Sequence, residues 1–431
     1  MKSLLLPLPA LALIAAAPAP QPAALRSTVE KLVSFGTRHS ASSTTDPKRG
    51  IGAARNWAAG EFQKLSAGCG GCITVDRPSA RFEGPRAPNG VIIEDVLGIQ
   101  RGTGSPDNVV IVSGHIDSRN SDPMDATGEA PGANDDGSGV ALVLEAARIL
   151  SKEKHEATIV YAALSGEEQG LWGGKLLADT AKARGWTVLG MLNNDIVGNT
   201  KGQDGRIVAD RVRVFSEGAR ASEDLATAKW RRASGGEDDS SSRALAKRVG
   251  DVAAANKSGV AAFLVRRPDR FGRGGDHTPL LEAGYPAVRF TVGVENYDAQ
   301  HQNLRTEGGR VYGDTIDRMD FPYLAKVTAL NVAVLRQLAS APAAPVSVVL
   351  EGAVATDTTV KWTAVPGAAG YRIRWRRADR PNWETSRDVP GSQTSETLKG
   401  IIVDDTFIGV SALSASGGES LVTFGGLAPP K

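Results

Sequence analysis

The chain has 431 residues, of which 50 are Lys or Arg and 48 are Asp or Glu, so its formal net charge is +2. This length leaves room for two or three domains with a sizeable core. The near balance of charges argues against a protein that binds nucleic acid or an anionic membrane through its overall charge.

Residues 1–24 are predicted to be a secretory signal peptide. Lys2 is followed by an apolar stretch from Leu4 to Ala17, and then by an Ala- and Pro-rich segment with small residues at candidate cleavage sites. The apolar stretch is shorter than the roughly 20 residues that a membrane-spanning helix needs. We therefore expect a secreted or periplasmic protein with no membrane span after signal removal; an uncleaved anchor is the alternative.

The only two cysteines, Cys69 and Cys72, form a Cys-Gly-Gly-Cys motif. Outside the cytoplasm, a short-loop disulfide is the expected state of such a pair. A thioredoxin-like motif would begin a helix after a strand, whereas this motif follows a predicted helix. A structural zinc site would need two further ligands nearby, and none is evident.

The spacing of apolar residues predicts alternating helices and strands along most of the chain. In chain order, these are helices 25–35 and 52–65, strands 73–75, 91–99 and 109–113, helix 139–150, strand 158–164, helix 171–184 and strand 188–192. Residues 215–240 are polar and are predicted to begin with a loop, before helix 241–255, strands 263–266 and 287–292, loop 295–305 and helix 323–338. This βαβ alternation predicts an α/β domain over residues 25–340, with a mixed, largely parallel central sheet flanked by helices.

The composition changes after this domain. Residues 341–345 are rich in Ala and Pro and are predicted to be a linker. Residues 346–431 then contain short alternating segments separated by Gly and Pro turns, at 346–350, 359–363, 371–376 and 406–413. This pattern predicts a small, C-terminal, all-β sandwich.

Polar residues follow three of the predicted central strands. His115 and Asp117 follow strand 109–113, Glu167 and Glu168 follow strand 158–164, and Asp195 follows strand 188–192. Ligands of open α/β sheets bind beyond the carboxyl ends of the strands, so these side chains are expected to meet at one site. Carboxylates gathered without a cation would repel one another, and the site is therefore predicted to hold a metal.

Three further side chains complete the set of candidate ligands. Asp135 and Asp136 lie at the start of a predicted helix, whose amide groups and dipole favour ionised carboxylates, and His301 lies in a later loop. Imidazole and carboxylate ligands without thiolates suit zinc, with manganese or cobalt as alternatives. The carboxylates are too many for one closed tetrahedral zinc, so two metals bridged by one carboxylate are predicted, a pair that activates water and polarises a carbonyl. The two adjacent glutamates would then divide the work, one binding metal and the other accepting a proton.

Five sequence features occur in the order of a known family: G-H-I-D-S, P-G-A-N-D-D-G-S-G, S-G-E-E-Q-G-L, N-N-D-I-V-G and the late His301. Residues 25–340 thus resemble the secreted bacterial co-catalytic di-zinc aminopeptidases, relatives of leucyl aminopeptidases, glutamate carboxypeptidases and glutaminyl cyclases. The resemblance implies two Zn²⁺ per chain. It implies that His115 and Asp195 bind one zinc, that Glu168 and His301 bind the other, that Asp135 bridges them, and that Glu167 is the general base.

The resemblance also implies roles around these ligands. Asp117 would hold the His115 ring through its second nitrogen, as metal-bound imidazoles usually require, and Asp136 would be a structural carboxylate. The Gly-Gly-Asp-His-Thr-Pro segment resembles the family's Ser-Asp-His stretch near the substrate pocket. Asp276 and His277 are therefore expected to support the metal ligands or to contact the pocket, or else only to fix that turn.

One position departs from the family pattern. Some members place a Tyr immediately before the final His, where it helps to stabilise the oxyanion, but here that residue is Gln300 and the nearest tyrosine is Tyr297. Oxyanion stabilisation is therefore assigned to Tyr297 or Gln300, or else to the zinc ions alone.

The C-terminal region resembles a fibronectin type III module. Trp362, Tyr371 and the run from Phe407 to Ser420 carry this likeness. The region has no catalytic constellation of its own, and it is expected to be a spacer or a contact to a surface or polymer.

These features predict a zinc-dependent aminopeptidase that acts on peptides with a free N-terminus. The alternatives of the same fold are a carboxypeptidase or dipeptidase and a glutaminyl cyclase with one zinc. A non-catalytic binding ectodomain is the alternative from another class, but such a protein should have lost ligands, and none is missing here.

Overall fold

The computed structural model of the chain describes residues 18–256 and 259–428. Most of the predicted signal peptide, residues 1–17, lies outside the described residues. The first helix, α1 (Pro22–Val33), begins three residues before the predicted start of the catalytic domain. Among the described residues, no helix combines the length and apolar character needed to cross a bilayer.

The first unit begins with a helical pair and an irregular β region. Its elements up to the first crossover helix are α1, α2 (Ile51–Gly68), β1 (Ile73–Asp76), β2 (Ser79–Gly84), β3 (Ala87–Glu94), β4 (Val96–Gln100), β5 (Ser105–His115) and α3 (Gly137–Leu150). The regular alternation continues with β6 (Ala157–Leu164), α4 (Glu167–Gly170), α5 (Trp172–Ala183), β7 (Thr187–Asn194) and β8 (Arg211–Phe215). The unit ends with α6 (Leu225–Ser234), α7 (Ser241–Asn256), β9 (Ala261–Val265), α8 (His277–Glu282), β10 (Ala287–Val292), β11 (Arg305–Glu307), β12 (Arg310–Tyr312) and α9 (Phe321–Ala339).

Eight strands form the central sheet, in the order β1-β4-β6-β5-β7-β10-β8-β9. The four strands in the middle, β6, β5, β7 and β10, are mutually parallel. β4 is antiparallel to both β6 and β1, and β8 is antiparallel to β10 but parallel to β9. The predicted mixed, largely parallel sheet is confirmed. β6 is buried along its whole length, as expected for a strand covered on both faces.

Alternate residues of the central strands pack on opposite layers of helices. Val110 and Val112 of β5 belong to the main core, which includes residues of α1, α3 and α9. Val109 and Ile111 instead contact the smaller core formed with α5 and α8. Successive side chains of a strand point to opposite faces of the sheet. A strand that is covered by helices on both faces therefore needs apolar residues at nearly every position.

The register of the parallel strands brings their carboxyl ends to one edge. His115 of β5 pairs with Leu164 of β6, and Ser113 of β5 pairs with Asn193 of β7. The residues that follow β6 and β7 therefore leave the sheet beside His115. This register brings the residues predicted to form the site together at the carboxyl edge of the sheet.

The single strand predicted at residues 91–99 is wrong, because the chain turns at Asp95. The Asp95 amide donates to the Pro78 carbonyl, and its carboxylate accepts from the Ser165 amide at 3.0 Å. Before this turn, β3 pairs with β2 in a separate hairpin; after it, β4 joins the central sheet. Because apolar residues stand on both sides of Asp95, the sequence showed β3 and β4 as one continuous strand.

Two helix predictions also need correction. The polar segment 215–240 contains helix α6, which Asp224 caps by accepting from the Thr227 amide at 2.7 Å. None of the α6 residues is buried, and the segment is polar overall, which is why its composition suggested a loop. The helix predicted at 171–184 begins at Trp172, because Leu171 has a left-handed backbone conformation with φ of 58°.

The C-terminal module consists of two antiparallel sheets with a core of their own. Its strands are β13 (Val348–Glu351), β14 (Thr358–Trp362), β15 (Gly370–Arg377), β16 (Thr385–Pro390), β17 (Ser395–Leu398), β18 (Thr406–Leu413) and β19 (Thr423–Phe424). One sheet has the order β13-β14-β17 and the other β16-β15-β18-β19. Trp362 and Tyr371 pack in the core between them, at 5.4 Å between ring centroids. The predicted C-terminal all-β region is confirmed, while its specific likeness to fibronectin type III stays a prediction.

A buried ion pair joins the module to the first unit. The Arg376 guanidinium of β15 donates to both oxygens of Asp239, at 3.1 and 2.6 Å. Both side chains are almost fully buried, at 1% and 5% exposure. Arg248 of α7 adds hydrogen bonds to the main-chain oxygens of Glu419 and Ser420, at 3.0 and 3.1 Å. The module is thus packed on the α/β domain rather than merely tethered to it.

We expect replacement of Arg376 by Gln to lower the free energy of unfolding by about 3 kcal/mol, because Asp239 would remain buried without its guanidinium partner. Lys247 lies 3.0 Å from Asp239 and keeps the loss near the lower end of the usual range. Arg377→Gln is the matched control, since the Arg377–Asp379 pair is exposed and should change stability by less than about 1 kcal/mol. Urea denaturation of the three proteins measures the difference, and equal stabilities for both variants would contradict this account of the interface.

Candidate metal centre

The structure brings together all five residues that the sequence predicted as metal ligands. They form two groups of three, in each of which the candidate ligand atoms lie within 4.8 Å of one another. His115, Asp135 and Asp195 make up the first group, and Asp135, Glu168 and His301 make up the second. Asp135 is common to both, as the predicted bridge should be.

The two oxygens of Asp135 face different histidines. Oδ1 lies 3.1 Å from Nε2 of His115, and Oδ2 lies 3.0 Å from Nε2 of His301. Each histidine nitrogen also approaches a second carboxylate, that of Asp195 at 3.8 Å and that of Glu168 at 3.0 Å. A carboxylate with one oxygen in each group is arranged to bridge two cations.

Each side chain reaches the centre from a different part of the sheet edge. His115 is the last residue of β5, Asp195 follows β7, and Glu168 lies in the single helical turn α4 just after β6. His301 comes from the loop after β10 and has a left-handed backbone conformation, with φ of 52°. The ends of the parallel strands thus supply three of the five ligands, the segment just before α3 supplies Asp135, and a loop supplies His301.

Two atoms of this centre are buried without a hydrogen-bond partner among the described residues: Nε2 of His115 and Oε1 of Glu168. Buried polar atoms normally have a partner, and an unpaired one calls for an explanation such as an ion. Two imidazoles and three carboxylates also form a donor set that suits zinc. The residues present therefore fit a metal centre.

Arginines hold the carboxylate oxygens that face away from the centre. Nη2 of Arg289 donates to Oδ2 of Asp195 at 2.8 Å, and Nε of Arg119 donates to Oε2 of Glu168 at 2.9 Å. Nη2 of Arg119 also lies 2.6 Å from Nδ1 of His301. The sequence reasoning missed both arginines, although Arg119 stands only four residues after His115 in the same loop.

Asp117 and Asp136 fix the loops around the centre. The Asp117 carboxylate accepts from the amides of Glu167 and Glu168 at 3.3 and 3.1 Å, and its main-chain oxygen lies 3.1 Å from Nδ1 of His115. The Asp117 carboxylate itself is 3.6 Å from that nitrogen, so its closer partners are the two glutamate amides. Asp136 accepts from the amides of His115 and Gly139, each at 2.9 Å, and thereby ties β5 to the start of α3.

Asp314 is a further supporting residue that the sequence reasoning missed. Its Oδ2 accepts from the amides of Asn134 and Asp135, at 2.9 and 2.7 Å, and so fixes the backbone that carries the bridging carboxylate. Burial raises the pKa of Asp314 to about 7, against the opposing effect of these amide hydrogen bonds. No strand tip or recognised motif marks this position in the sequence.

Burial and charge act differently on the acidic groups of the centre. Burial alone would raise the pKa of Asp135, but the hydrogen bonds and charges of His115 and His301 hold it well below its usual range. Burial raises the pKa of Glu167, and the nearby charges of Asp195 and Glu168 raise it further, against the opposing effect of His115. The surroundings of Glu167 thus favour binding a proton, whereas those of Asp135 favour the ionised carboxylate.

The centre opens into a cleft with a volume of about 740 Å³. Glu167 lines this cleft together with four of the five candidate ligands, all except His115. Tyr297 and Gln300 line it too, but Tyr297 is 55% exposed and the Gln300 amide donates to Glu295 at 3.1 Å. Their assignment to oxyanion stabilisation stays a prediction.

Asp276 and His277 are not among the residues that line the cleft, and a contact of either with the substrate stays a prediction. Both are fully buried. Asp276 accepts from the Gly174 amide at 2.9 Å, and Nε2 of His277 lies 2.8 Å from the Pro268 carbonyl. They fix the turn between β9 and α8, the other role that the sequence allowed.

The parallel sheet edge, the two ligand groups and the adjoining glutamate define a metal-dependent hydrolase of the zinc-exopeptidase fold. More specifically, the chain belongs to peptidase family M28, whose family model matches residues 95–335. This match supports the predicted relationship at the level of the peptidase family, while the narrower assignment to the di-zinc aminopeptidases stays a prediction.

Similar proteins agree with this assignment. The chain is 42% identical over 403 residues to a probable zinc metalloprotease of Leptosphaeria maculans, covering 92% of both proteins. Its fold resembles that of the Legionella pneumophila LapA aminopeptidase, with a TM-score of 0.52 and 16% identity, covering 74% of this chain and 72% of that one. It also resembles Porphyromonas gingivalis glutaminyl cyclase, with a TM-score of 0.52 and 17% identity, covering 74% of this chain and 99% of that one.

These comparisons support a zinc hydrolase at the level of the family. The two solved structures show the fold alone, because their sequences are so distant. The similar curated proteins, such as those of Leptosphaeria maculans and Pyrenophora tritici-repentis, are fungal, so the predicted restriction to bacterial enzymes is not confirmed.

Proposed function

We propose that the protein is a zinc exopeptidase that releases N-terminal amino acids from peptides. The observation that carries this proposal is the pair of ligand groups that share Asp135 and open into the same cleft as Glu167. His115 and Asp195 would hold one Zn²⁺, Glu168 and His301 would hold the other, and Asp135 would contact both. When bound, such a pair polarises a carbonyl and lowers the pKa of water.

Glu167 acts as the general base in this proposal. It takes a proton from the water whose oxygen attacks the scissile carbonyl carbon, and it returns that proton to the amine nitrogen as the C–N bond breaks. The amides of Glu167 and Glu168 are both held by Asp117, so one residue sets the position of the adjacent base and ligand. Arg289 and Arg119 orient the carboxylates of Asp195 and Glu168.

The walls of the cleft support an exopeptidase. Pro85 and Arg86, at the turn of the β2–β3 hairpin, line it together with residues 270 and 272–274 of the segment before α8. Protein on several sides favours the end of a peptide over the middle of a long chain. The α-amine of a substrate would lie beside the acidic cluster that lines the cleft.

A substrate panel tests this function. The zinc-loaded protein is expected to hydrolyse amino-acid p-nitroanilides, to leave their N-acetylated forms intact, and to lose activity with a chelator and recover it with zinc. Cleavage of N-blocked peptides at their C-terminus would identify a carboxypeptidase instead. Cyclisation of N-terminal Gln peptides without hydrolysis would identify a cyclase, and the absence of both turnover and zinc would identify a binding protein.

We further propose that the enzyme works outside the cytoplasm and that its C-terminal module contacts a surface or polymer. The disulfide between Cys69 and Cys72 supports an oxidising compartment. Fractionation of the producing cells and N-terminal sequencing of the exported protein would test the location. Retention of activity in the cytoplasmic fraction alone would contradict it.

A further inference from the structure

The cleft of the candidate metal centre has an unusual distribution of charge. Four arginine side chains line it: Arg86, Arg119, Arg270 and Arg273. Four carboxylates line it as well: Asp135, Glu167, Glu168 and Asp195. Three of these carboxylates are candidate zinc ligands, which leaves only Glu167 to balance the arginines once the ligands are committed to cations. The cleft is therefore electropositive, and it favours an anionic substrate.

Arg270 and Arg273 share a single carboxylate. Nη1 of Arg270 lies 3.5 Å and Nη1 of Arg273 lies 3.2 Å from the same oxygen of Glu295. The other Glu295 oxygen accepts from Arg213 at 2.6 Å. Glu295 thus serves three guanidinium groups, and it cannot neutralise them all.

The carboxylate of Asp269 does not neutralise this excess of positive charge. Asp269 lies 3.2 Å from Nε of Arg270, but it also pairs with Nη1 of Arg289 at 3.0 Å. The Arg270 side chain is only 8% exposed. Its Nη1 is nevertheless without a hydrogen-bond partner among the described residues. A buried guanidinium N–H without an acceptor beside an open cleft indicates that a ligand supplies the acceptor.

The other two arginines have different surroundings. Arg119 is already engaged by Glu168 and His301. Arg86 donates to the Glu168 carbonyl at 2.7 Å, and no carboxylate of the described residues lies within ion-pair distance of it. Arg86 adds positive charge to the lining of the cleft. Arg270 offers the unpaired donor, and Arg273 shares the Glu295 carboxylate with it, so the positive charge of this pair is only partly neutralised.

We propose that the cleft selects substrates with a carboxylate near the scissile bond, and that Arg270 and Arg273 receive this carboxylate. The planar guanidinium group matches a carboxylate in geometry and charge, and such hydrogen bonds are stronger than neutral ones. The carboxylate comes either from an acidic N-terminal residue or from the C-terminus of a dipeptide. This inference rests on the proposed peptidase function and narrows its substrate class.

Two substrate pairs of similar shape and different charge separate the two sources. Glu-p-nitroanilide is compared with Gln-p-nitroanilide, and the dipeptide Leu-Gly with its C-terminal amide. The charged member of one pair is expected to have a kcat/KM about 10-fold or more above its neutral partner. Preference within the first pair identifies the side chain as the source, and preference within the second identifies the C-terminus.

Variants test which arginine is responsible. Arg273→Gln, at a side chain that is 32% exposed, should reduce the preferred kcat/KM about 10-fold and narrow the ratio within that pair. Arg267→Gln is the matched control, because Arg267 lies in the same segment and does not line the cleft; it should keep the full ratio. Equal ratios in the two variants would overturn the assignment to Arg273.

Calorimetry separates failure of this inference from failure of the proposed function. The zinc-loaded Glu167→Gln variant, which is expected to keep its zinc and to turn over about 10³-fold more slowly, is titrated with L-glutamate and L-glutamine, and with Leu-Gly and its amide, so that preference is measured as binding. Tighter binding of a charged member supports the inference even if no p-nitroanilide is hydrolysed, a result that would refute the peptidase proposal alone. Active enzyme with equal kcat/KM and equal affinity within both pairs would overturn the inference and leave the peptidase proposal standing.

Discussion

Replacing Glu167 by Gln is expected to lower kcat by about 10³-fold while the zinc content of the protein stays that of the wild type. Gln has nearly the same shape as Glu but cannot accept the proton of the attacking water. Glu167 belongs to neither ligand group, and its amide contact to Asp117 does not depend on the side chain. The loss should therefore fall on the chemical step rather than on metal binding.

Glu168→Gln is the matched comparison, because it makes the same substitution at the adjacent residue. Glu168 lies 3.0 Å from His301 in the second ligand group, so this variant is expected to lose zinc as well as activity. Elemental analysis after dialysis gives the zinc content, and p-nitroanilide hydrolysis gives kcat. Full activity in Glu167→Gln, or loss of zinc from it, would refute the assignment of Glu167 as the base.

The sequence was most informative for elements whose residue pattern is set by burial alone. β5, β6 and β7 are apolar runs that end abruptly in polar residues, because both faces of these strands are buried and their tips are not. This contrast predicted the sheet and placed His115 and Asp195 at one edge of it. The partnership of His301 with Glu168 came from the family resemblance instead, since no periodicity connects a loop residue with a strand tip 133 positions earlier.

The arginines around the site could not be recognised from the sequence. Arg289 lies inside the apolar strand β10, where it is fully buried between Asp195 and Asp269. Before the fold is known, such a residue looks like an exception in a core strand. Arg270 and Arg273 stand in a segment rich in Arg and Gly that resembles an ordinary surface loop. Only their placement beside the metal centre shows that their charge faces a cleft.

Replacing Asp135 by Asn is expected to reduce bound zinc from two ions per chain to one or fewer and to lower kcat at least about 100-fold. Asn keeps one carbonyl oxygen but replaces the other with an amide nitrogen that carries two hydrogens. Because each Asp135 oxygen faces a different histidine, at 3.1 and 3.0 Å, the substitution removes a charged ligand from both groups at once.

His115→Gln and His301→Gln provide the comparison, because each changes a ligand of one group only. Each should lose mainly one zinc, and Asp135→Asn should lose more zinc than either, when all are dialysed against the same buffer and analysed for metal. A wild-type protein with a single zinc would contradict the two-ion centre and favour the cyclase alternative. An Asp135→Asn variant that retained both ions would instead show that this carboxylate does not bridge them, even though it lies between the two histidines.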